Sequence, residues 1–212
     1  MEILSFDSLE STQNYLIDAV TKGELKPPIA VIAKEQSSGV GSRDNEWIGV
    51  VGNLFFSFAL ALETLPKDLK IESASLYFSF IMKELLSRYR DDIYMKWPND
   101  IYIHNQKIGG TITKKIEKNL ICGIGINIIK SPNSTYGCLE VAIDPLNILQ
   151  EYIKELKKMP SWKQIFIKYQ IEFEKYKNSY VHINNYQKSL SSAQLCEDGS
   201  IIINKKRMYS LR

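Results

Sequence analysis

Residues 93–113 run Ile-Tyr-Met-Lys-Trp-Pro-Asn-Asp-Ile-Tyr-Ile-His-Asn-Gln-Lys-Ile-Gly-Gly-Thr-Ile-Thr. The runs 93–97 and 101–104 are rich in β-branched and aromatic residues, which favour strands, and they flank the turn residues Pro98, Asn99 and Asp100. Asn105-Gln106 is typical of the tip of a hairpin that leads into residues 107–113. The stretch therefore predicts strands joined by a proline turn and a hairpin.

Hydrophobic spacing extends this pattern in both directions along the chain. Helical spacing predicts helices at residues 11–20, 71–89, about 145–158 and 161–176, whereas short apolar runs predict strands at 29–33, 53–60 and 120–128. From residue 180 to residue 212 the chain changes to short strand-like runs broken by turns. We therefore expect a mixed α/β body followed by a small β module.

Composition excludes several classes of protein. The 212 residues carry a net charge of only +3, which does not indicate a nucleic-acid-binding protein. The first residues are acidic where a signal peptide is basic, and no apolar run approaches the roughly 18 residues of a membrane span, so we expect a cytoplasmic protein. The three cysteines and two histidines are scattered along the sequence, so we expect no disulfide framework and no structural metal site.

Two segments contain candidate anion-binding groups. The loop Gln36-Ser37-Ser38-Gly39-Val40-Gly41-Ser42-Arg43 has two glycines that would let backbone N–H groups approach an anion, although an ordinary flexible loop has the same composition. Lys96 ends an apolar strand next to the proline turn, where a fixed ammonium can neutralise a carboxylate or phosphate. The alternative is a lysine that extends along Trp97 to solvent.

Glycines inside two predicted strands suggest a pocket. Gly109 and Gly110 occur in one strand, and Gly123 and Gly125 alternate with isoleucines in the next. Glycine weakens a strand, so its presence there needs a reason such as the close approach of a ligand or of another backbone. We expect either a flat-floored pocket for a planar ligand or a pair of β-bulges.

The order of these motifs resembles that of the biotin protein ligases. The counterparts are Ser11-Thr12-Gln13, the Gly39 to Trp47 loop, Lys96 to Asp100, Lys107-Ile108-Gly109-Gly110, Gly123-Ile124-Gly125-Ile126-Asn127 and the closing Tyr209-Ser210-Leu211-Arg212. The resemblance covers nearly the whole chain, and Lys-Trp-Pro-Asn-Asp is its specific element. It implies a class II synthetase-like catalytic domain at 1–178, with a mixed sheet flanked by helices, and a small SH3-like β-barrel at 179–212.

The resemblance also implies a reaction. Biotin would attack the α-phosphate of ATP, with Mg²⁺ carried mainly by the ATP phosphates, and the resulting biotinyl-5′-AMP would acylate one lysine of a biotin carboxyl carrier protein. The implied catalytic residues are Lys96 and Arg43. Biotin would contact Ser11, Thr12, Gln13, Gln36, Gly39, Val40, Gly41, Ser42, Lys96, Gly109, Gly110 and Gly123, and the nucleotide would contact Arg43, Trp47, Asn99, Asp100, Gly125 and Asn127.

The sequence departs from the family pattern in the glycine loop. Val40 and Ser42 stand where relatives have arginines, so Arg43 is the nearest substitute cation. A lipoate-type ligase and a non-catalytic biotin-binding regulator are the alternatives to a biotin ligase. Because the first motif begins at Ser11, we expect no N-terminal DNA-binding domain and no DNA partner, while exposed sheet edges leave homodimerisation open.

Overall fold

A computed structural model describes residues 1–41, 46–47, 50–130, 135–183 and 186–209. The helices are α1 (Thr12–Thr21), α2 (Ala74–Leu86), α3 (Pro145–Lys157) and α4 (Trp162–Tyr176). The strands are β1 (Glu2–Leu9), β2 (Ile29–Gln36), β3 (Gly39–Val40), β4 (Glu46–Trp47), β5 (Leu54–Ala61), β6 (Ile93–Lys96), β7 (Asp100–Ile103), β8 (Gln106–Ile116), β9 (Asn119–Ile126), β10 (Tyr180–Ile183), β11 (Tyr186–Ser189), β12 (Gln194–Leu195), β13 (Ile201–Ile203) and β14 (Lys206–Met208).

Seven strands form the main sheet in the order β1-β2-β5-β9-β8-β7-β6. β1 and β2 are parallel, and every other neighbouring pair is antiparallel, so the sheet is mixed. The two longest ladders join β9 to β5 and to β8, and they place Gly110 opposite Gly125 and Ser57 opposite Gly123. The glycine-bearing strands therefore lie side by side at the centre of the sheet.

Helices pack on both faces of the sheet. α1 lies on β2, β5 and β9 and covers a small apolar cluster that includes Leu16, Val31 and Ile121. On the other face, α2 lies on β6 to β9 and α3 lies on β5, and together with α4 they cover the main core. α2 is buried along almost its whole length, which explains why its sequence is apolar over nearly every turn.

The C-terminal residues form two small sheets, a β10-β11 pair and a three-stranded β12-β13-β14 sheet. Their buried side chains, such as Leu190 and Ile201, belong to the same core as α2 and the main sheet. Hydrogen bonds strengthen this junction, because the indole N–H groups of Trp97 and Trp162 donate to the carbonyl oxygens of Gly199 and Glu197 at 2.9 Å and 2.7 Å. The C-terminal turn is therefore fixed against the Lys96–Asp100 segment.

The structure agrees with the predicted α/β class and with most element positions. Residues 71–73 form a short 3-10 turn and α2 starts only at Ala74, so the predicted helix at 71–89 is shorter at both ends. The edge strand β1 was not predicted. Among the described residues no helix is both long and apolar enough to cross a membrane. The SH3-like barrel and the boundary at residue 178 stay predictions.

Candidate active site

A cavity lies on the α1 face of the sheet, between the start of α1, the end of β2 and the central strands. Its lining includes residues from both glycine strands, from the glycine loop and from the proline turn. The described lining residues are Ser11, Thr12, Gln13, Gln36, Val40, Gly41, Trp47, Phe56, Ser57, Asn99, Asp100, Lys107, Gly110, Thr111, Ile112, Gly123, Ile124 and Gly125.

Uncharged polar groups line the cavity beside the first turn of α1. Ser11 caps the helix through a 3.3 Å bond from Asn14 N–H, and the Thr12 N–H donates to Gln36 Oε1 at 2.7 Å. The hydroxyls of Thr12 and Ser57 are 3.0 Å apart. Gln13 is 5% exposed, and its Oε1 has no hydrogen-bond partner within the described structure. A buried amide oxygen without a partner is costly, so this part of the cavity can bind a ligand that donates hydrogen bonds.

The glycines make room for protein side chains that line the cavity. A Cβ at Gly123 would lie 2.6 Å from Gln13 Oε1, and one at Gly125 would lie 2.7 Å from the Trp47 indole. β8 and β9 pair without interruption across these positions, and the register shift in this region lies between β7 and β8. The bulge interpretation is therefore wrong for the two glycines of β9, and the space above them is filled by Gln13 and Trp47.

Charged groups line the cavity on the β7-β8 side. Lys107 Nζ forms a 2.7 Å ion pair with Asp100 Oδ1, and these side chains are 22% and 21% exposed. The Lys107 ammonium also lies 5.5 Å from the centre of the Trp47 ring. Lys107 is the lysine that the structure places on the described cavity wall, so it can neutralise an anion bound there.

Lys96 does not line the cavity. Its Nζ donates to Tyr102 Oη at 2.5 Å and lies 4.1 Å from the centre of the same ring. Burial lowers the pKa of Lys96 below its usual value, with Asp100 opposing the shift and Lys107 reinforcing it. This geometry does not test the prediction that Lys96 is the cation at the reacting atoms. Lys107 is a second candidate, and it lies on the cavity wall.

Two asparagines that the sequence assigned to the nucleotide make hydrogen bonds within the protein. Asn99 lines the cavity, but its side-chain Nδ2 donates to the backbone carbonyl of Thr111. The backbone carbonyl of Asn99 accepts a hydrogen bond from Ser79 Oγ at 3.0 Å. Asn127 is 8% exposed, and its Nδ2 donates to the Gly137 carbonyl at 3.2 Å. Asn127 therefore fixes the segment around residue 137 beside β8, and it is not part of the cavity lining.

The structure brings most of the predicted site residues together. Gly39, Lys96, Gly109 and Asn127 are not on the lining, and Ser42 and Arg43 lie outside the described residues. Neither Lys107 nor Ser57 was predicted as a site residue. Lys107 is the second residue of a strand that contains two glycines, and Ser57 interrupts the apolar run of β5, so the position of each residue was a usable signal. The described residues contain no cluster of His, Cys, Asp and Glu that could hold a metal ion.

Comparisons with known proteins identify similar chains. The model of the biotin/lipoate A/B protein ligase family matches residues 5–129. The chain is 34% identical to the bifunctional ligase/repressor BirA of Escherichia coli over 127 residues, and that match spans 57% of this chain but only 38% of BirA. It is 27% identical over 125 residues to the biotin–[acetyl-CoA-carboxylase] ligase of Paracoccus denitrificans, where the match spans 54% of this chain and 50% of the relative.

Solved structures extend the similarity over the whole chain. The crystal structure of biotin acetyl coenzyme A carboxylase synthetase from Helicobacter pylori, with bound biotinylated ATP, is 37% identical with a TM-score of 0.91. That match covers 98% of this chain and 99% of the other. The biotin protein ligase of Aquifex aeolicus, at 21% identity and a TM-score of 0.79, covers 100% of this chain and 96% of its own and shares the fold.

Proposed function

Because the chain belongs to the biotin/lipoate A/B protein ligase family, we propose that it is an ATP-dependent biotin protein ligase. It activates biotin as biotinyl-5′-AMP and transfers the biotinyl group to one lysine of a biotin carboxyl carrier protein. The reaction needs no covalent enzyme intermediate, so a cavity without an activated nucleophile is compatible with it.

The observation that carries the proposal is the division of one cavity into an uncharged polar side and a charged side, which carries the Lys107–Asp100 ion pair. Thr12, Gln36 and Ser57 offer hydrogen bonds next to the unpartnered Gln13 oxygen, which suits the N–H groups and the carbonyl of a ureido ring. Lys107 lies on the other side, where it would neutralise the biotin carboxylate and the α-phosphate. A molecule with a ureido ring at one end and a carboxylate at the other matches both sides.

The remaining roles follow from where residues lie on the cavity. Trp47, Val40 and Gly41 would close over the adenylate and exclude water from the mixed anhydride. Arg43 would supply a second cation for the phosphates. Mg²⁺ would be carried mainly by the ATP phosphates, since the described residues offer it no cluster of protein ligands. Asn127 would act indirectly, by fixing the segment around Gly137.

The experiment that tests this function is transfer of radiolabelled biotin to a purified carrier domain with ATP and Mg²⁺, comparing the wild type with Lys107→Met and Lys96→Met. The two variants each remove one ammonium and keep an unbranched side chain. We expect Lys107→Met to lower adenylate formation by about a hundredfold or more, because an electrostatic partner of the reacting oxygens is lost. Lys96→Met should have the smaller effect.

Three outcomes would change the assignment. Labelling with lipoate but not biotin would make the chain a lipoate-type ligase. Binding of biotin without any adenylate would favour the non-catalytic regulator. If Lys96→Met were the more damaging variant, Lys96 would be the main cation, as predicted from the sequence.

A further variant, Arg43→Ala, tests the substitute cation of the glycine loop by the same measurement.

A further inference from the structure

The described cavity wall contains only two titratable side chains, Lys107 and Asp100. It contains no histidine and no cysteine among the residues that the structure describes. Cys122 is on the neighbouring strand but is completely buried, and that burial raises the pKa of its thiol well above the usual value. Asp100 is therefore the one carboxylate of the described wall.

Asp100 occupies an accessible position. It is the first residue of β7 and pairs in register with Gly110 of β8. A Cβ at Gly110 would lie 3.3 Å from Asp100 Oδ1 and 3.4 Å from Lys107 Nζ, so the glycine makes room for these two charged side chains. Asp100 lines the cavity with its side chain 21% exposed, so an amine that enters the cavity can reach its carboxylate.

The surroundings of Asp100 allow it to exchange partners. Its ion-pair partner is Lys107, and Lys96 is its register partner on β6. Lys96 Nζ nevertheless donates to Tyr102 Oη at 2.5 Å and makes no ion pair within 4 Å of Asp100. Once Lys107 turns to a bound carboxylate or phosphate, Asp100 loses its ion-pair partner.

The second half of the proposed reaction needs a base that accepts a proton from the acceptor lysine. An acceptor lysine has a solution pKa of about 10.4, so it arrives as an ammonium ion that cannot attack a carbonyl. A positioned base that accepts one proton in the transition state typically accelerates such a step by about 10² to 10⁴. The first half-reaction has no such demand, because a biotin carboxylate is already the nucleophile.

We propose that Asp100 binds the ε-ammonium of the acceptor lysine and takes its proton during transfer, after Lys107 has moved to the adenylate. This role rests on the proposed ligase function. One N–H proton passes to the Asp100 carboxylate, and the freed lone pair attacks the acyl carbon. The C–O bond to the phosphate then breaks, AMP leaves with the electron pair, and the second N–H proton goes to its phosphate oxygen. Asp100 afterwards returns its proton to solvent.

The two half-reactions can be measured separately, which makes the role testable. Asp100→Asn keeps the size and one acceptor oxygen of the side chain but removes its charge. Because Asp100 also pairs with Lys107, this variant should form biotinyl-5′-AMP from biotin and ATP more slowly than the wild type, so transfer is measured with biotinyl-5′-AMP supplied preformed. Transfer from preformed biotinyl-5′-AMP to the carrier domain should fall by about a hundredfold.

Two further readouts separate proton transfer from a structural role. Hydroxylamine is uncharged at pH 7 and needs no base, so biotin hydroxamate formation from preformed biotinyl-5′-AMP should be the same with Asp100→Asn as with the wild type. Transfer to the carrier by the variant should rise about tenfold per pH unit between pH 7 and 9, because only amine already deprotonated in solution then reacts. Asp100→Glu should recover part of the transfer rate. The control Asp7→Asn, which removes an exposed carboxylate paired with Lys34, should leave the transfer rate unchanged.

Several results would overturn the proposal. A loss of adenylate and hydroxamate formation equal to the loss of transfer would assign Asp100 to the nucleotide or to Lys107. A loss of adenylation that extra magnesium restores would assign it to the metal. Wild-type transfer with an unchanged pH profile in Asp100→Asn would remove it from the chemistry. A wild-type protein that forms no biotinyl adenylate would instead refute the ligase function on which the proposal rests.

Discussion

At the scale of single residues, Gly123 controls the space available to Gln13. A Cβ at this position would lie 2.6 Å from Gln13 Oε1 and 3.2 Å from Ser57 Oγ, so the glutamine must move if alanine replaces the glycine. We expect Gly123→Ala to raise the KM for biotin about tenfold, which corresponds to about 1.4 kcal/mol of binding, with little change in the KM for ATP. Steady-state kinetics with each substrate varied in turn would check this.

Gly125→Ala is the matched control for that prediction. Its new methyl group would lie 2.7 Å from the Trp47 indole and should mainly affect the KM for ATP. If both variants raised the two KM values equally, the two glycines would have a common structural role rather than separate contacts.

The sequence could predict which residues gather around the cavity, but it could not rank the two lysines. Lys96 and Lys107 both lie in strands and next to recognisable motifs. Which ammonium faces the cavity depends on hydrogen bonds across strands, because Tyr102 holds Lys96 whereas Asp100 holds Lys107 beside Gly110. Such pairings follow from the register of β6, β7 and β8, and single-sequence patterns do not determine register.

At the scale of elements, a buried ion pair connects α2 to α4 and supports β6. Lys83 pairs with Glu172, and the Met95 N–H donates to the Glu172 carboxylate. Desolvation raises the pKa of Glu172 although Lys83 lies beside it. The folded protein therefore holds this proton to higher pH than the unfolded chain does. The associated stability is complete below the unfolded pKa, about 4.3, and is lost as pH rises through the folded pKa.

We therefore expect Glu172→Gln to gain stability relative to the wild type as pH rises above about 4.3, by at most about 1.4 kcal/mol per pH unit. Urea unfolding followed by circular dichroism between pH 4 and 7.5 measures the difference. Glu84→Gln is the control with the opposite slope. Desolvation alone would raise the pKa of Glu84, but the hydrogen bonds and the positive charges of Lys168 and Lys83 together outweigh it and lower that pKa. A Glu172→Gln variant that loses relative stability with rising pH would show that the ion pair outweighs the burial of the carboxylate.

β1, which was not predicted, shows that an edge strand can lack a hydrophobic pattern of its own. β1 pairs with β2 on one side only, and all of its residues are exposed or half-buried. An edge strand of this kind needs few apolar side chains, so the periodicity that revealed β5 and β9 is weak there. The central strands were predictable because both of their faces are covered.

At the scale of the whole molecule, the C-terminal sheets share one core with the rest of the chain. Ile201 is completely buried within the cluster that contains Phe58 and Tyr152. We expect urea unfolding curves from far-UV circular dichroism and from tryptophan fluorescence to coincide. Ile201→Ala should destabilise the entire protein by about 2 to 5 kcal/mol without splitting the transition. An early separate transition would indicate that residues 179–212 unfold independently of the remainder.

The three tryptophans of the chain differ in how they are held. The indole N–H groups of Trp97 and Trp162 donate to backbone carbonyls of the C-terminal turn, whereas Trp47 lies between Gly125 and the stacked ring of Tyr136, near the Lys107 ammonium. Light emission from the first two should stay constant while the fold is intact. Emission from Trp47 should change whenever Lys107 moves or a planar molecule enters the cavity. The protein therefore carries its own unlabelled optical reporter of ligand in the cavity.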